Sequence, residues 1–247
     1  MSLLLKETEA NFSAFDGDWR KHMANVSADL AKQRSKYLES YRRIVSLQAW
    51  RSFLETRVSE SSLSFFLEAQ NDALTSHVFA NLGSWRAALK ALRSSIENVM
   101  FCLYYKDHPV EFVLWEAGQH KPPIADFISY LDRHPQRIKE ATVDPIPHIQ
   151  AEYATLSKAV HASAKNFRMT KDVKTTLLWS SAVASFGQWQ TREAAVLLNL
   201  NLLLLVHFRG DLAGASGASL REAVSLAIAP SKYPEIKTHL GIALRQP

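Results

Sequence analysis

The stretch AAVLLNLNLLLLVHF, residues 194–208, decides the fold. Its only polar residues are Asn199, Asn201 and His207. Fifteen residues fall short of the roughly 20 that a membrane-crossing helix needs, and three polar groups would be costly in lipid. A helix that is apolar all round and too short for a bilayer belongs in the middle of a bundle. Residues 194–208 are therefore expected to be a central buried helix, with the rest of the chain wrapped round it.

The flanking sequence agrees. Lys171 to Phe186 and Thr191 to Phe208 read as an apolar helical pair, or as one helix kinked near Gly187. Upstream, Leu89, Leu92, Ile96, Val99, Met100 and Leu103 line one side of a helix from Trp85 to about Tyr105, which Asp107-His108-Pro109 stops. A helix over 61–80, marked by Leu63, Leu67, Leu74 and Val78, precedes it; Asn81-Leu82-Gly83 breaks it, and Ser84 is placed to cap the next. At the N-terminus Phe12, Phe15, Trp19, Met23, Val26 and Leu30 recur at three and four, so residues 4–50 form one long helix or a helical hairpin. Pro109 suits the first turn of a further helix carrying Phe112, Leu114 and Trp115. Short helices follow over 124–131 and 153–163. Between them His134 to His148, with Pro135, Pro145 and Pro147, reads as a loop. Gly210, Gly214 and Gly217 mark a turn, Ser219 is placed to cap a helix through Leu226, and a last short helix ends near Leu244. Strand alternation is nowhere sustained. The expectation is an all-α, multi-helix bundle with long central apolar helices. Residues 1–58 form a helical segment or hairpin packed on a main bundle over 59–247.

Composition narrows the function classes. Of 247 residues 47% are hydrophobic, with 8 glycines, 9 prolines and a single cysteine. That excludes a collagen-like or largely disordered chain, an internal disulfide and a cysteine-based zinc cluster. Lys and Arg exceed Asp and Glu by 29 to 24, a net +5 that permits a polyanionic partner without requiring one. Lys6, Glu7 and Glu9 end the apolar start too early for a signal peptide, so a cytoplasmic, non-membrane protein is expected.

Two polar constellations stand out. Arg86, Lys90, Arg93 and Glu97 follow at spacings of 4, 3 and 4, which puts them on one face of an otherwise apolar helix. They are either a solvated stripe with one Arg93–Glu97 ion pair or a patch with a task. Tyr153, Ser157 and His161 likewise share a face. His161 is either a hydrogen-bonded, partly buried histidine or a general acid or base working near neutral pH. The nine histidines are dispersed, and HExxH, GxGxxG, P-loop and GxSxG motifs are missing, so neither a metal nor a cofactor is expected. Cys102 lies in an apolar helix and reads as a small buried residue.

Two segments carry a family resemblance. Arg93 with Glu97 and Asn98, leading to Tyr104-Tyr105, and the run Tyr153 to His161 together resemble helical HEPN-like proteins of bacterial anti-phage and toxin systems, over roughly residues 60 to 205. The resemblance implies a helical bundle that dimerises and, in many members, a metal-independent endoribonuclease. There an arginine steadies the phosphate and a histidine four to six residues later moves a proton. Here no histidine follows Arg93 at that distance, no arginine precedes His161 at it, and Arg168 stands in the reverse order.

Three functions are consistent with these features. The first is an RNA-binding or RNA-cleaving component of a defence or toxin system, with Arg93, His161 and Tyr153 as catalytic candidates and Arg86, Lys90, Glu97 and Ser157 as binding candidates. The second is a non-catalytic protein-interaction or regulatory subunit, in a homodimer or a hetero-complex, with some of the six tryptophans as exposed anchors. The third is a bundle with a small-molecule pocket. The first two part on whether Arg93 and His161 share a cleft.

Overall fold

A computed structural model describes residues 2–161, 163, 167, 179–212 and 217–245. All regular structure among them is helical: α1 (Leu3–Ala31), α2 (Arg34–Leu54), α3 (Glu60–Asn81), α4 (Trp85–Asp107), α5 (Pro109–Glu116), α6 (Ile124–Arg133), α7 (Ile146–Val160), α8 (Val183–His207), α9 (Ala218–Ser225) and α10 (Tyr233–Leu240), with short 3₁₀ turns at Arg209–Leu212 and Pro230–Lys232. No described helix is long and apolar enough to cross a membrane.

The stretch 194–208 forms the second half of α8 and lies at the centre of the bundle. Val196, Leu197, Leu200 and Leu202 to Val206 are all buried. Its asparagines are satisfied internally. Asn201 donates to Ser46 Oγ (2.9 Å) and to Leu197 O (2.7 Å), and accepts from Trp50 Nε1 (2.9 Å). Asn199 donates to Ala195 O (2.8 Å). These bonds tie α2 to α8 in a region where an unmade hydrogen bond would be costly. α2 is therefore part of the core: Leu47, Trp50 and Leu54 are fully buried. Residues 1–58 supply two helices, separated at Lys32 and Gln33. The second half of α1 docks, burying Val26 and Leu30 and setting Trp19 edge-on to Trp179 at 5.7 Å between ring centres, while Leu4, Phe12 and Phe15 are exposed.

The α3–α4 turn follows from its sequence. Gly83 adopts φ +70°, Ser84 N–H donates to Phe79 O (2.8 Å) and Gly83 N–H to Ala80 O (2.9 Å). That is the Schellman arrangement, which satisfies the last carbonyls of α3. Ser84 holds the N-cap position of α4, but its hydroxyl makes no capping bond. Ser59 caps α3 with its side chain, accepting from Ser62 N–H (3.2 Å).

Several boundaries differ from the sequence reading; the last helix, α10, ends at Leu240, where Gly241 takes φ +71°, and not near Leu244. α7 starts at Ile146, inside the expected 134–148 loop, because Pro147 fits a helix's first turn. α8 runs through Gly187 without a break, and nothing there requires a glycine, since a Cβ would meet open space. α9 is preceded by Gly217 and not capped by Ser219, which lies inside its first turn. Of the helix expected over 171–186, residues 171–178 lie outside the described residues, as do Arg168 and Gly214; 179–182 are not helical, and only 183–186 belong to a helix, the start of α8.

Candidate functional site

Arg86, Lys90, Arg93 and Glu97 lie on the face of α4 that meets α7, and the two helices run antiparallel. Arg86 donates from Nε to Ala159 O (3.0 Å) and from Nη2 to Val160 O (2.7 Å). Those are end carbonyls of α7, where a cation also complements the helix dipole. Two turns along α4, Arg93 reaches the middle of α7. Its Nε donates to Ser157 Oγ (3.2 Å), and its Nη2 meets Glu97 Oε1 (2.8 Å) and the Tyr153 hydroxyl. The guanidinium also lies 4.7 Å from the centre of the Tyr153 ring. Tyr153 donates its phenolic proton to Glu97 Oε1 (2.7 Å), and Ser157 donates to Tyr153 O (2.8 Å).

Five of the sequence-selected residues thus meet in one seam: Arg86, Arg93, Glu97, Tyr153 and Ser157. Burial, with the Glu97 carboxylate next in weight, raises the Tyr153 phenol above its ordinary value against the opposing pull of Arg93. The phenol is therefore a proton donor at neutral pH. Lys90 lies between Arg86 and Arg93 on the same face; it is exposed and makes no ion pair among the described residues. His161 caps α7 through its backbone, N–H to Ser157 O (3.1 Å). Its ring is exposed, with no side-chain hydrogen bond among the described residues. As Arg86 holds the two carbonyls just before it, His161 sits at the Arg86–Lys90 end of the seam, about one helical turn from Ser157.

Other expectations resolve differently. Asn98 turns away from α7 and donates to Asp72 Oδ2 on α3 (2.8 Å). Tyr105 is buried, stacked with Phe65 at 5.3 Å between ring centres. Cys102 is fully buried, and burial pushes its thiol up to about 12, so it is no nucleophile. Trp50 and Trp189 are fully buried, whereas Trp115 is 40% exposed.

Two clusters escaped the sequence. In the first, Ser40 on α2 donates to Glu193 Oε1 on α8 (3.0 Å) and lies 2.9 Å from His77 Nδ1 on α3. Arg43 Nε and Nη2 both meet Glu193 Oε2, at 2.8 and 2.5 Å. Burial raises the Glu193 carboxyl to about 6 against the pull of Arg43, and lowers the His77 imidazole. Ser40 is fully buried and its acid contacts the serine and not the histidine, so this is no hydrolase triad. It is a polar joint between α2, α3 and α8. Beside it a groove of about 530 Å³ opens between Arg42, Leu198 and Tyr233. The second cluster is Asp107, His134 and His207, whose nitrogen and oxygen atoms all lie within 4.8 Å of one another. Sequence separations of 27 and 73 give this second cluster no recognisable ligand spacing.

No protein-family model matches the chain, and comparison with curated proteins and with solved structures likewise finds no match.

Proposed function

We propose that this protein is an RNA-binding component of a bacterial defence or toxin system and that it takes the RNA backbone in the α4/α7 seam. The observation that carries the reading is the bonding of Arg93 to Tyr153 and Ser157. It aligns three α4 cations with a face of α7 that ends in an exposed histidine. Lys90 and His161 supply the exposed donors for a phosphate, and Arg86 adds positive potential behind them, while the Arg93 charge is balanced by Glu97. The defence context rests on the resemblance in sequence, and with it goes a cytoplasmic location.

Binding is favoured over cleavage by the state of Arg93. Glu97 neutralises it and accepts the Tyr153 proton, so the arginine is not free to meet a phosphate charge that develops in a transition state. The test is fluorescence anisotropy with single-stranded RNA, run beside a cleavage assay. Lys90→Glu and His161→Ala are expected to weaken binding severalfold while the fold is kept. Wild-type affinity in both variants would reject the seam. RNA cleavage that is lost in His161→Ala would replace the binding reading with the endonuclease one.

A second reading, a protein-interaction subunit, is favoured by α1. Leu4, Phe12 and Phe15 are 72%, 65% and 58% exposed, on a half-helix that meets little of the bundle. Exposed apolar side chains of this size mark an interface. The resemblance implies a second copy as the occupant. Phe12→Ser with Phe15→Ser would then turn a dimer into a monomer in light scattering without lowering the Tm, and a wild-type monomer would exclude it.

A further inference from the structure

Asp107, His134 and His207 sit where three helices end. Asp107 is the last residue of α4, His207 the last of α8, and His134 the C-cap of α6. Helix C-termini carry partial negative charge, so their meeting point favours a cation. His134 Nε2 lies 3.4 Å and His207 Nε2 3.7 Å from the same oxygen, Asp107 Oδ2, and the imidazole centres are 4.4 Å apart. The two N···O separations are long for N–H···O hydrogen bonds, which centre near 2.9–3.0 Å. They are close to the edge of a tetrahedron of ligands about 2.0–2.1 Å from a central zinc ion, which is about 3.4 Å. His207 adds an independent sign. Its side chain is 4% exposed and its Nε2 is buried without a hydrogen-bond partner, although it is aimed at the cluster. A buried lone pair with no partner is costly unless something binds it.

We infer that Asp107, His134 and His207 form a binding site for a borderline divalent transition metal of the zinc class. Two imidazole nitrogens and one carboxylate oxygen suit that class better than magnesium or calcium, which take oxygen ligands. Asp107, whose side chain is 25% exposed, leaves a route from solvent to the cluster. The carboxylate is already held in place: Tyr130 donates to Oδ2 (2.7 Å) and Lys106 to Oδ1 (2.8 Å). Such outer partners orient a metal ligand. One contact must yield. His134 Nδ1 accepts from Gln136 N–H (3.2 Å), whereas a metal on Nε2 requires the proton on Nδ1. Metal loading therefore opens that two-residue turn. Asp107 lies ten residues beyond Glu97 on α4, about 15 Å along the helix, so the ion would not take part in chemistry at the α4/α7 seam. It would fasten the ends of α4, α6 and α8 together.

The test uses the full chain, stripped with EDTA and titrated with zinc chloride by calorimetry, with magnesium chloride as the hard-cation control. One zinc per chain, a micromolar or tighter Kd and a raised Tm are expected, with no response to magnesium. Cobalt(II) added in place of zinc is expected to give the visible absorption of a tetrahedral site, and the Gln136 amide resonance is expected to shift. Asp107→Asn and His134→Ala, both at partly exposed positions, are each expected to weaken zinc binding at least tenfold. They decide the matter if buried His207→Ala fails to fold. No zinc binding by the wild type, or wild-type zinc affinity in both Asp107→Asn and His134→Ala, would overturn the assignment.

Discussion

Replacing Glu97 by glutamine separates a phosphate-binding seam from a structural one. Glu97 and Arg93 form an ion pair at 2.8 Å with side chains 23% and 24% exposed. Glutamine keeps an oxygen that can accept from Tyr153 and Arg93, so the contacts are retained and one negative charge is removed. At this exposure the lost pair costs no more than about 1 kcal/mol of stability. If RNA occupies the seam, the released Arg93 charge provides one further phosphate contact. For single strands each contact contributes about 0.7 to the slope of log K against log salt, or roughly fivefold in affinity at 0.1 M salt. Glu97→Gln should therefore bind single-stranded RNA about fivefold more tightly and with a steeper salt dependence. Arg93→Ala should move both quantities the other way. It also loses the bonds to Ser157, Tyr153 and Glu97, at about 2–3 kcal/mol, and lowers the Tm by roughly 5–10 °C. Anisotropy titrations at several salt concentrations, with thermal melts beside them, measure each term. A folded Glu97→Gln protein with unchanged or weaker RNA affinity would mean that the seam serves helix packing alone.

Three further predictions concern the frame that holds the seam. A Cβ at Gly83 would lie 2.7 Å from both Ser180 O and Val26 Cγ1, at φ +70°, so Gly83→Ala should cost about 2 kcal/mol or more, read as a fall in Tm. Asn201→Ala removes the acceptor of the buried Trp50 N–H and should cost about 2–4 kcal/mol in denaturant unfolding; a loss below about 1 kcal/mol would mean that the α2–α8 tie is weak. The Glu193 carboxyl, raised to about 6 from 4.5, binds its proton more tightly in the folded chain than in the unfolded one. Its contribution to stability therefore grows as pH falls through 6 and is complete below about 4.5. The wild type should gain Tm relative to Glu193→Gln between pH 7 and pH 4.5, and a difference that shrinks toward acid would reverse the assigned sign.

The bundle was legible because its strongest signals are local. The apolar run at 194–208, the Asn81-Leu82-Gly83 stop and the Asp107-His108-Pro109 stop each act through neighbouring residues, and each is found where the sequence puts it. The seam was half legible. Spacings of three and four place Arg86, Lys90, Arg93 and Glu97 on one face, and Tyr153, Ser157 and His161 on another. Their meeting depends on α4 packing antiparallel to α7, which no periodicity reveals. The role of Arg86 as a cap for α7 was invisible for the same reason: its partners are carbonyls 73 and 74 residues away. The remaining polar clusters were wholly hidden. Ser40, His77 and Glu193 come from α2, α3 and α8, and Asp107, His134 and His207 from the ends of α4, α6 and α8. A histidine at a helix end looks the same in sequence whether it faces water or two other ligands.

The central claim, that RNA lies along α4 and α7, is tested most directly by ultraviolet crosslinking of a single-stranded RNA oligomer to the full chain, with the attachment points located by mass spectrometry. Crosslinks are expected on peptides that contain Lys90, Tyr153 and His161, and are expected to be lost in Lys90→Glu. Crosslinks confined to α1 or to the groove beside Arg42, or none at all under conditions where the RNA binds, would contradict it.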